Sequence, residues 1–375
     1  MSLTDTAPTA ASAVHSRLTR PVPVNLLSLD LCSAERLVQD YGWPRYRAQQ
    51  MLRWVYRRRV REIDSMTDLS RTERDALMRS AVIGRCLTCR ILESVDGTRK
   101  FILRLDDGLE VESVLIPDAR RLTLCVSTQV GCTLDCRFCL TGMMGLQRNL
   151  KAHEIVDQVL TVQDQLGAGE RLTNLVLMGM GEPLANLEAV SEAIRRLTNT
   201  SWGVGIAPRR ITLSTAGLAT RLRDVAALGV NVAVSLNATT NAQRDRLMPA
   251  ANRLHPLDSL LAACRSIYPL HPKEQRVPGL PPHRKLTFEY VLIAGENDTE
   301  EDARRLAKLL NGMRCKINLI AFNPFPGSPY QRPAEAAVLR FQSVLRGAGF
   351  DVLIRKSKGR DVLGACGQLG RLSQS

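Results

Sequence analysis

The chain has 375 residues, 45% of them hydrophobic, enough for one large domain with a smaller one beside it. No apolar run is long enough to cross a bilayer and no charged n-region followed by an apolar h-region opens the sequence, so a membrane protein and a secreted one are set aside and a cytoplasmic protein is expected. Ten cysteines in a chain of this length point to metal or thiol chemistry in a reducing compartment, and a formal charge of +14 points to a polyanionic partner, a basic solvated surface being the plainer alternative.

Residues 1–25, rich in Ala, Thr, Ser and Pro, read as a flexible leader. Residues 26–90 carry helical periodicity over 34–41, 45–60 and 71–82 and form a small helical domain. Trp43, Tyr46, Trp54 and Tyr56 are interleaved there with Arg45, Arg47, Arg53, Arg57, Arg58, Arg59 and Arg61. Aromatic faces for stacking beside cations for phosphates suit an RNA-binding accessory domain, although either Trp alone reads more simply as a core residue. Cys86 and Cys89 form a lone C-x2-C that is read as structural. Over 91–120, alternating stretches flank the turn at Asp106, Asp107 and Gly108, which predicts a short antiparallel extension.

From residue 121 to 350 the pattern is strand, loop, helix, repeated. Strands are expected at 122–126, 174–178, 210–214, 231–236, 286–293 and 316–321, with amphipathic helices at 152–166, 187–197, 257–267 and 300–310. Six such units describe an α/β fold with a parallel sheet, either open and doubly wound or an incomplete (β/α)6 barrel. Ligands collect at the carboxyl ends of parallel strands, and the chemistry-bearing loops obey this rule. A cysteine loop follows the first strand, 179–183 the second, 214–217 the third, 235–237 the fourth and 323–325 the sixth. Residues 271–284, rich in Pro, Lys and Arg, read as a surface insertion, and 351–375 as a C-terminal segment carrying Cys366.

The cysteine loop holds Cys132, Cys136 and Cys139 at C-x3-C-x2-C. A four-iron cluster is normally held by four thiolates, so three leave one iron free to bind a further ligand. A tetrahedral zinc site would need a fourth Cys or His nearby, and three buried apolar cysteines are the remaining alternative. Cys32, Cys264 and Cys315 lie in regular patterns and are expected in the core; His153 begins a helix that could neighbour the loop.

The ordered motifs at 131–139, 178–184, 213–217, 315–320, 323–327 and 365–369 together resemble the RlmN/Cfr family of radical S-adenosylmethionine RNA methyltransferases, closest to its RlmN branch, from about residue 45 to 369. The resemblance implies a TIM-like partial barrel, one 4Fe-4S cluster on Cys132, Cys136 and Cys139, and two S-adenosylmethionine molecules per turnover. It also implies methylation of adenine C2 in 23S rRNA and in tRNA, an external flavodoxin-like electron donor, and a monomer. Adenine C2 lies between two ring nitrogens and is too electron-poor to attack an electrophilic methyl group, whereas a carbon radical can add to it. By resemblance, Cys366 carries the methyl group, a radical formed on that carbon links protein to RNA, and Cys125 attacks the Cys366 sulfur to release the product and leave a disulfide. Taken alone, Cys125 is more simply a buried strand residue.

Glu112 matches the family's proton acceptor. Gly181 and Glu182 match contacts to the methionine end of the cofactor, Ser214, Ser235, Leu236 and Asn237 those to its sugar and carboxylate, and Asn323 those to its adenine. Asn237 and Leu140 depart from the family pattern, which favours His and a small residue there. Arg209, Arg210, Arg355, Lys356, Lys358 and Arg360 are expected to bind phosphates. Two other readings stay open: C8 methylation of the Cfr type, and an RNA-binding protein with a structural or redox cluster.

Overall fold

The structure, a computed structural model, describes residues 23–274 and 277–371, so all but the last three residues of the expected leader lie outside it. Ten strands form one sheet: β1 Leu87–Glu93, β2 Arg99–Arg104, β3 Glu110–Asp118, β4 Arg121–Cys125, β5 Asn174–Leu177, β6 Ile211–Thr215, β7 Asn231–Ser235, β8 Leu286–Leu292, β9 Cys315–Ala321 and β10 Val352–Arg355. They lie side by side in chain order with β1 and β10 as free edges, so the sheet is open. Strands β4 to β10 run parallel. The best-paired, β8 and β9, match from Leu286↔Cys315 to Leu292↔Ala321. Their Val, Ile, Leu and Phe runs suit strands covered on both faces, and Phe288, Leu292, Ile317 and Leu319 are fully buried. The antiparallel extension is continuous with this sheet, because β3 pairs with β4 in a register that sets Val114 opposite Cys125.

The expected strands and helices fall within one or two residues of their positions in this sheet. Residues expected to open a separate C-terminal segment instead supply a seventh parallel strand, β10, after an unanticipated helix, Glu335–Gly347. The helix expected over 71–82 starts at a Ser70/Glu73 capping box but ends at Met78, and Ala81–Val82 pairs with Val24–Asn25. The helix expected over 45–60 is α-helical only over Tyr46–Arg53. It then widens into a π turn, Trp54–Arg58, and stops at Arg59, whose φ is 54°. Within the 271–284 stretch most described residues are exposed, as a surface insertion would be, while Val277 and Leu280 are buried and Arg284 donates to the Gly229 carbonyl. Cys264 and Cys315 are in the core, whereas Cys32 is exposed.

Several N-terminal arginines turn out to fasten the small domain to the sheet domain. Arg59 and Arg61 reach Asp164 at 2.9 and 3.2 Å, and Arg85 bonds the Asp157 carboxylate. From the other side, buried Arg196 donates to the Leu27 carbonyl and to the Tyr56 hydroxyl. Trp43 and Trp54 pack against the core, while Arg45, Arg57 and Arg58 stay exposed. No helix among the described residues is long and apolar enough to cross a membrane.

Candidate active site

The cysteine loop leaves β4 through a short ribbon in which Gln129–Gly131 pairs with Leu146–Asn149. Gly131 has φ 77°, and a Cβ there would lie 1.8 Å from the Gly145 carbonyl oxygen, so only glycine lets the ribbon close. The loop is pinned on two sides: the Arg137 amide donates to the Leu247 carbonyl at 2.9 Å and the Leu140 amide to the Gly367 carbonyl at 2.8 Å. Leu140, where a small residue was expected, is buried beside Leu134 and Phe138. His153 faces away from this loop, into a crevice with Asn25, Gly84 and Cys86.

Cys132, Cys136 and Cys139 share the wall of one cleft holding about 900 Å³ of space open to solvent. Among the described residues no three His, Cys, Asp or Glu side chains converge as ligands of a single ion would. Burial pushes all three thiols up, Cys132 to about 12, and in Cys136 the other two cysteines add to the effect. Three half-buried thiols that would repel one another as thiolates are poorly placed to ionise alone; a bound polynuclear metal centre would draw their protons off.

Gly181, Glu182, Ser214, Ser235 and Asn237 line the same cleft, as expected from their positions after the strands. Gly181 has φ 101°, and a Cβ there would fall 2.5 Å from the Gln129 side chain, so the loop lies directly on the cluster ribbon. The Gln129 amide oxygen also accepts the Glu182 N–H at 2.9 Å. Glu182 is buried, and its carboxylate accepts the amides of Leu184 at 3.0 Å and Ala216 at 2.7 Å. Burial raises its pKa against the pull of those amides. Replacing Glu182 by Ala strands both donors, and urea denaturation is expected to show a loss of about 1–3 kcal/mol for each amide left without an acceptor.

Asn237, where the family favours His, has φ 55°; its side-chain oxygen accepts the Val291 N–H at 2.8 Å. Asn is among the few side chains that adopt this left-handed backbone readily. Leu236 departs from expectation: its side chain is fully buried in the hydrophobic core, so it does not line the cleft. Sequence reasoning passed over Glu289, which lines the cleft; its Oε1 accepts from Asn318 at 2.9 Å, while its buried Oε2 has no hydrogen-bond donor. The signal was there: a carboxylate in the middle of an otherwise apolar parallel strand.

A second cavity of about 590 Å³ adjoins the first and contains Cys125, Asn323, Lys356, Lys358 and Cys366. Cys366 borders both cavities and is exposed; Cys125 is buried, and burial, reinforced by neighbouring Cys366, pushes its thiol up to about 12. Arg355, expected on a phosphate-binding surface, instead lies between the two cavities, 3.6 Å from the Glu289 carboxylate. Asn323 holds the Cys366 backbone, its Nδ2 donating to the Cys366 carbonyl at 3.1 Å. The chain beyond is strapped down as well, with Thr141 Oγ1 donating to the Leu369 carbonyl at 2.6 Å.

Glu112 is not brought into either cavity. Its carboxylate lies 3.3 Å from Lys100 Nζ and accepts the Gly370 N–H at 3.0 Å, so it clamps the chain four residues beyond Cys366. Burial raises the Glu112 pKa and lowers that of Lys100, each against the attraction of the other.

The approach to Cys366 is held by two aspartates. Asp96 accepts the Gly359 amide at 2.9 Å, and Asp361 accepts the Ser94 hydroxyl at 2.6 Å and the Val95 amide at 3.1 Å. Burial alone would raise Asp96, but the Thr98 hydroxyl and the amides of Gly359 and Thr98 outweigh it and bring it to about 2. Asp361 is lowered chiefly by Ser94. A depressed carboxylate stabilises the fold above its unfolded pKa, and that stability is lost as the pH falls through the folded value. Between about pH 4 and 2, hydrogen exchange over residues 356–366 is therefore expected to accelerate before the central strands open; protection that persists until global unfolding would contradict this.

Residues 24–83 match the family described as Ribosomal RNA large subunit methyltransferase N-terminal domain, and residues 126–310 match the Radical SAM superfamily. The chain is 47% identical to a Dual-specificity RNA methyltransferase RlmN of Syntrophobacter fumaroxidans, covering 92% of this chain and 98% of that protein. It is 45% identical to the protein of the same name from Syntrophus aciditrophicus, over 92% and 96% of the two chains. The crystal structure of a radical SAM methyltransferase from Sphaerobacter thermophilus superposes with a TM-score of 0.84 at 41% identity, covering 92% of this chain and 99% of that one.

Proposed function

Because the chain belongs to the RlmN family of radical S-adenosylmethionine RNA methyltransferases, we propose that it methylates C2 of a specific adenine in 23S rRNA and in tRNA. The observation that carries this reading is the position of Cys366, which borders both the cleft of the three loop cysteines and the cavity of Cys125. A purely structural or redox cluster would not need a further exposed thiol at its edge with a second thiol behind it.

Cys132, Cys136 and Cys139 are the residues that would hold a 4Fe-4S cluster; Gly181, Glu182, Ser214, Ser235 and Asn237, which line the same cleft, would hold S-adenosylmethionine, and Asn323, which also steadies Cys366, would meet its adenine. When bound, these groups supply a methyl group from one cofactor molecule and a deoxyadenosyl radical from a second. Cys366 would accept the methyl group on sulfur and, once that carbon has given up one hydrogen atom to the radical, present it to C2; a carbon–carbon bond forms there, and the ring is restored when its C2 proton and one electron leave, the electron returning to the cluster. Cys125 then attacks the Cys366 sulfur: a sulfur–sulfur bond forms, the bond from sulfur to the transferred carbon breaks, and its electron pair with a proton completes the methyl group. Glu112 can take the ring proton only after Gly370 releases it, which assigns to the C-terminal segment a movement during turnover.

We read the seven parallel strands between residues 121 and 355 as an incomplete barrel extended by 91–120, residues 356–371 as the carrier segment, and residues 26–90 as the accessory domain that meets RNA. Exposed Arg45, Arg57, Arg58, Arg209, Lys356 and Arg360 are among the cations available for phosphates, so affinity should fall with salt. The reading makes the protein a cytoplasmic monomer served by a flavodoxin-like donor. Anaerobic reconstitution with iron, sulfide, methyl-labelled cofactor and total RNA, followed by nucleoside analysis, tests it. Label in 2-methyladenosine is the expected result; label in 8-methyladenosine would move the chain to the Cfr type, and cofactor cleavage with no labelled RNA would overturn methyl transfer.

A further inference from the structure

Arg244 lies on the helix Asn241–Leu247 and is fully buried. Its guanidinium makes two hydrogen bonds, Nη1 to the His255 carbonyl at 2.8 Å and Nη2 to the Ala216 carbonyl at 2.6 Å. Both acceptors are neutral, Nε has no partner, and no carboxylate forms an ion pair with this group among the described residues. The adjacent Asp245 is turned to Asn252 Nδ2 at 2.7 Å. A buried cation with no anion beside it is costly, and burial brings this guanidinium down to about 10, with Cys136 opposing that fall most strongly.

The surroundings show where an anion would enter. The helix bearing Arg244 ends at Leu247, whose carbonyl takes the Arg137 amide from inside the cysteine loop. Asp135 Oδ1 accepts the Ala250 amide at 2.9 Å, locking the same loop to the next helical turn. Leu247, Met248 and Ala216 pack with Leu134 and Phe138 around the three loop cysteines, and Ala216 lines their cleft. The far side of the helix is equally fixed, because Gln243 Nε2 donates to Asp302 at 2.6 Å. The charge is therefore held rigidly behind the cysteine loop, away from solvent.

We propose that Arg244 is the buried counter-cation of the iron-sulfur cluster, offsetting the negative charge of three thiolates and the cluster and raising its reduction potential. Charge and burial are two of the protein's levers on such a potential, and a fixed positive charge favours the reduced, more negative state. The effect is to make the cluster reducible by a protein donor that delivers one electron at low potential. This inference rests on the cluster reading of Cys132, Cys136 and Cys139.

The test is a mediated redox titration of reconstituted full-length protein followed by electron paramagnetic resonance, without RNA and without cofactor, on wild type, R244Q and R244K. R244Q is expected to be at least tenfold harder to reduce, a downward shift of about 59 mV for one electron, and R244K, which keeps the charge, to stay within a third of that shift. Equal potentials in wild type and R244Q, or equal downward shifts in both variants, overturn the proposal. Iron loading and thermal unfolding provide the second measurement. An R244Q chain that folds but holds less iron than R244K, or gains less thermal stability on loading, supports the coupling. Equal loss of iron in both variants, or an R244Q chain that cannot fold even without iron, overturns it, because the charge would then serve shape or a partner within the protein. Wild-type protein that takes up no cluster would instead refute the reading on which the inference stands.

Discussion

Cys366→Ala is expected to remove adenine methylation altogether, a fall on the order of 10⁴-fold or more, while reductive cleavage of S-adenosylmethionine continues. The split follows from where the residue sits. Cys366 is on the C-terminal segment, held by its backbone through Asn323, and contributes none of the loop thiols or strand-end side chains that surround the cluster cleft. Alanine keeps the backbone bond and the small volume, so the cleft should still bind cofactor and reduce it. What disappears is, among the described residues, the only exposed cysteine that borders both cavities. Liquid chromatography of deoxyadenosine against labelled RNA separates the two activities. Cleavage and methylation falling together would mean that Cys366 supports the cofactor site instead of carrying the methyl group.

Much of this arrangement could be read from sequence because it rests on strong local signals. The parallel strands are short runs of Val, Ile and Leu bounded by glycine and polar turns, and the rule that ligands gather at strand carboxyl ends then places 179–183, 214–217 and 235–237 together. The failures have equally physical causes. Leu236 was assigned with Ser235 and Asn237 although side chains alternate along an extended segment, so the residue between two cleft-facing neighbours faces the core. Strand β10 was missed because four residues, two of them basic or half-buried, carry too short a pattern to compete with a loop reading. That omission also left Arg355 on an imagined surface, whereas pairing with β9 carries it to the cleft beside Glu289.

The arginines and Glu112 show a different limit. Composition predicted cations for RNA, yet Arg59, Arg61, Arg85 and Arg196 are committed to joining the two domains, since a fork of donors satisfies buried carbonyls and carboxylates as readily as phosphates. Glu112 lies in a strand position that sequence can locate, but its partners, Lys100 and the amide of Gly370, come from a neighbouring strand and from a segment more than 250 residues away. No spacing within the chain announces such contacts.

Cys125→Ala is expected to trap the reaction one step later, as a protein-RNA adduct that accumulates under turnover to about one per active chain and migrates with the protein in denaturing gels. Once the carbon on Cys366 is bonded to adenine, release requires a nucleophile at the Cys366 sulfur. Cys125 is the other cysteine in the cavity next to it, and Ala cannot replace it. Because burial holds the Cys125 thiol near 12, little of it is thiolate at neutral pH. Only the thiolate attacks, so in wild-type protein the decay of a pre-formed adduct should quicken about tenfold per pH unit between 7 and 9. Arg355, which lines the cavity with both thiols and already pulls the Cys125 thiol down against its burial, would lessen this dependence further by moving against Cys125 when RNA binds. An adduct in the Ala variant that decays as fast as in wild type, or a wild-type decay indifferent to pH, would remove Cys125 from the release step. Persistence of the adduct in the variant, joined to a unit slope in the wild type, would assign the attack to this buried sulfur.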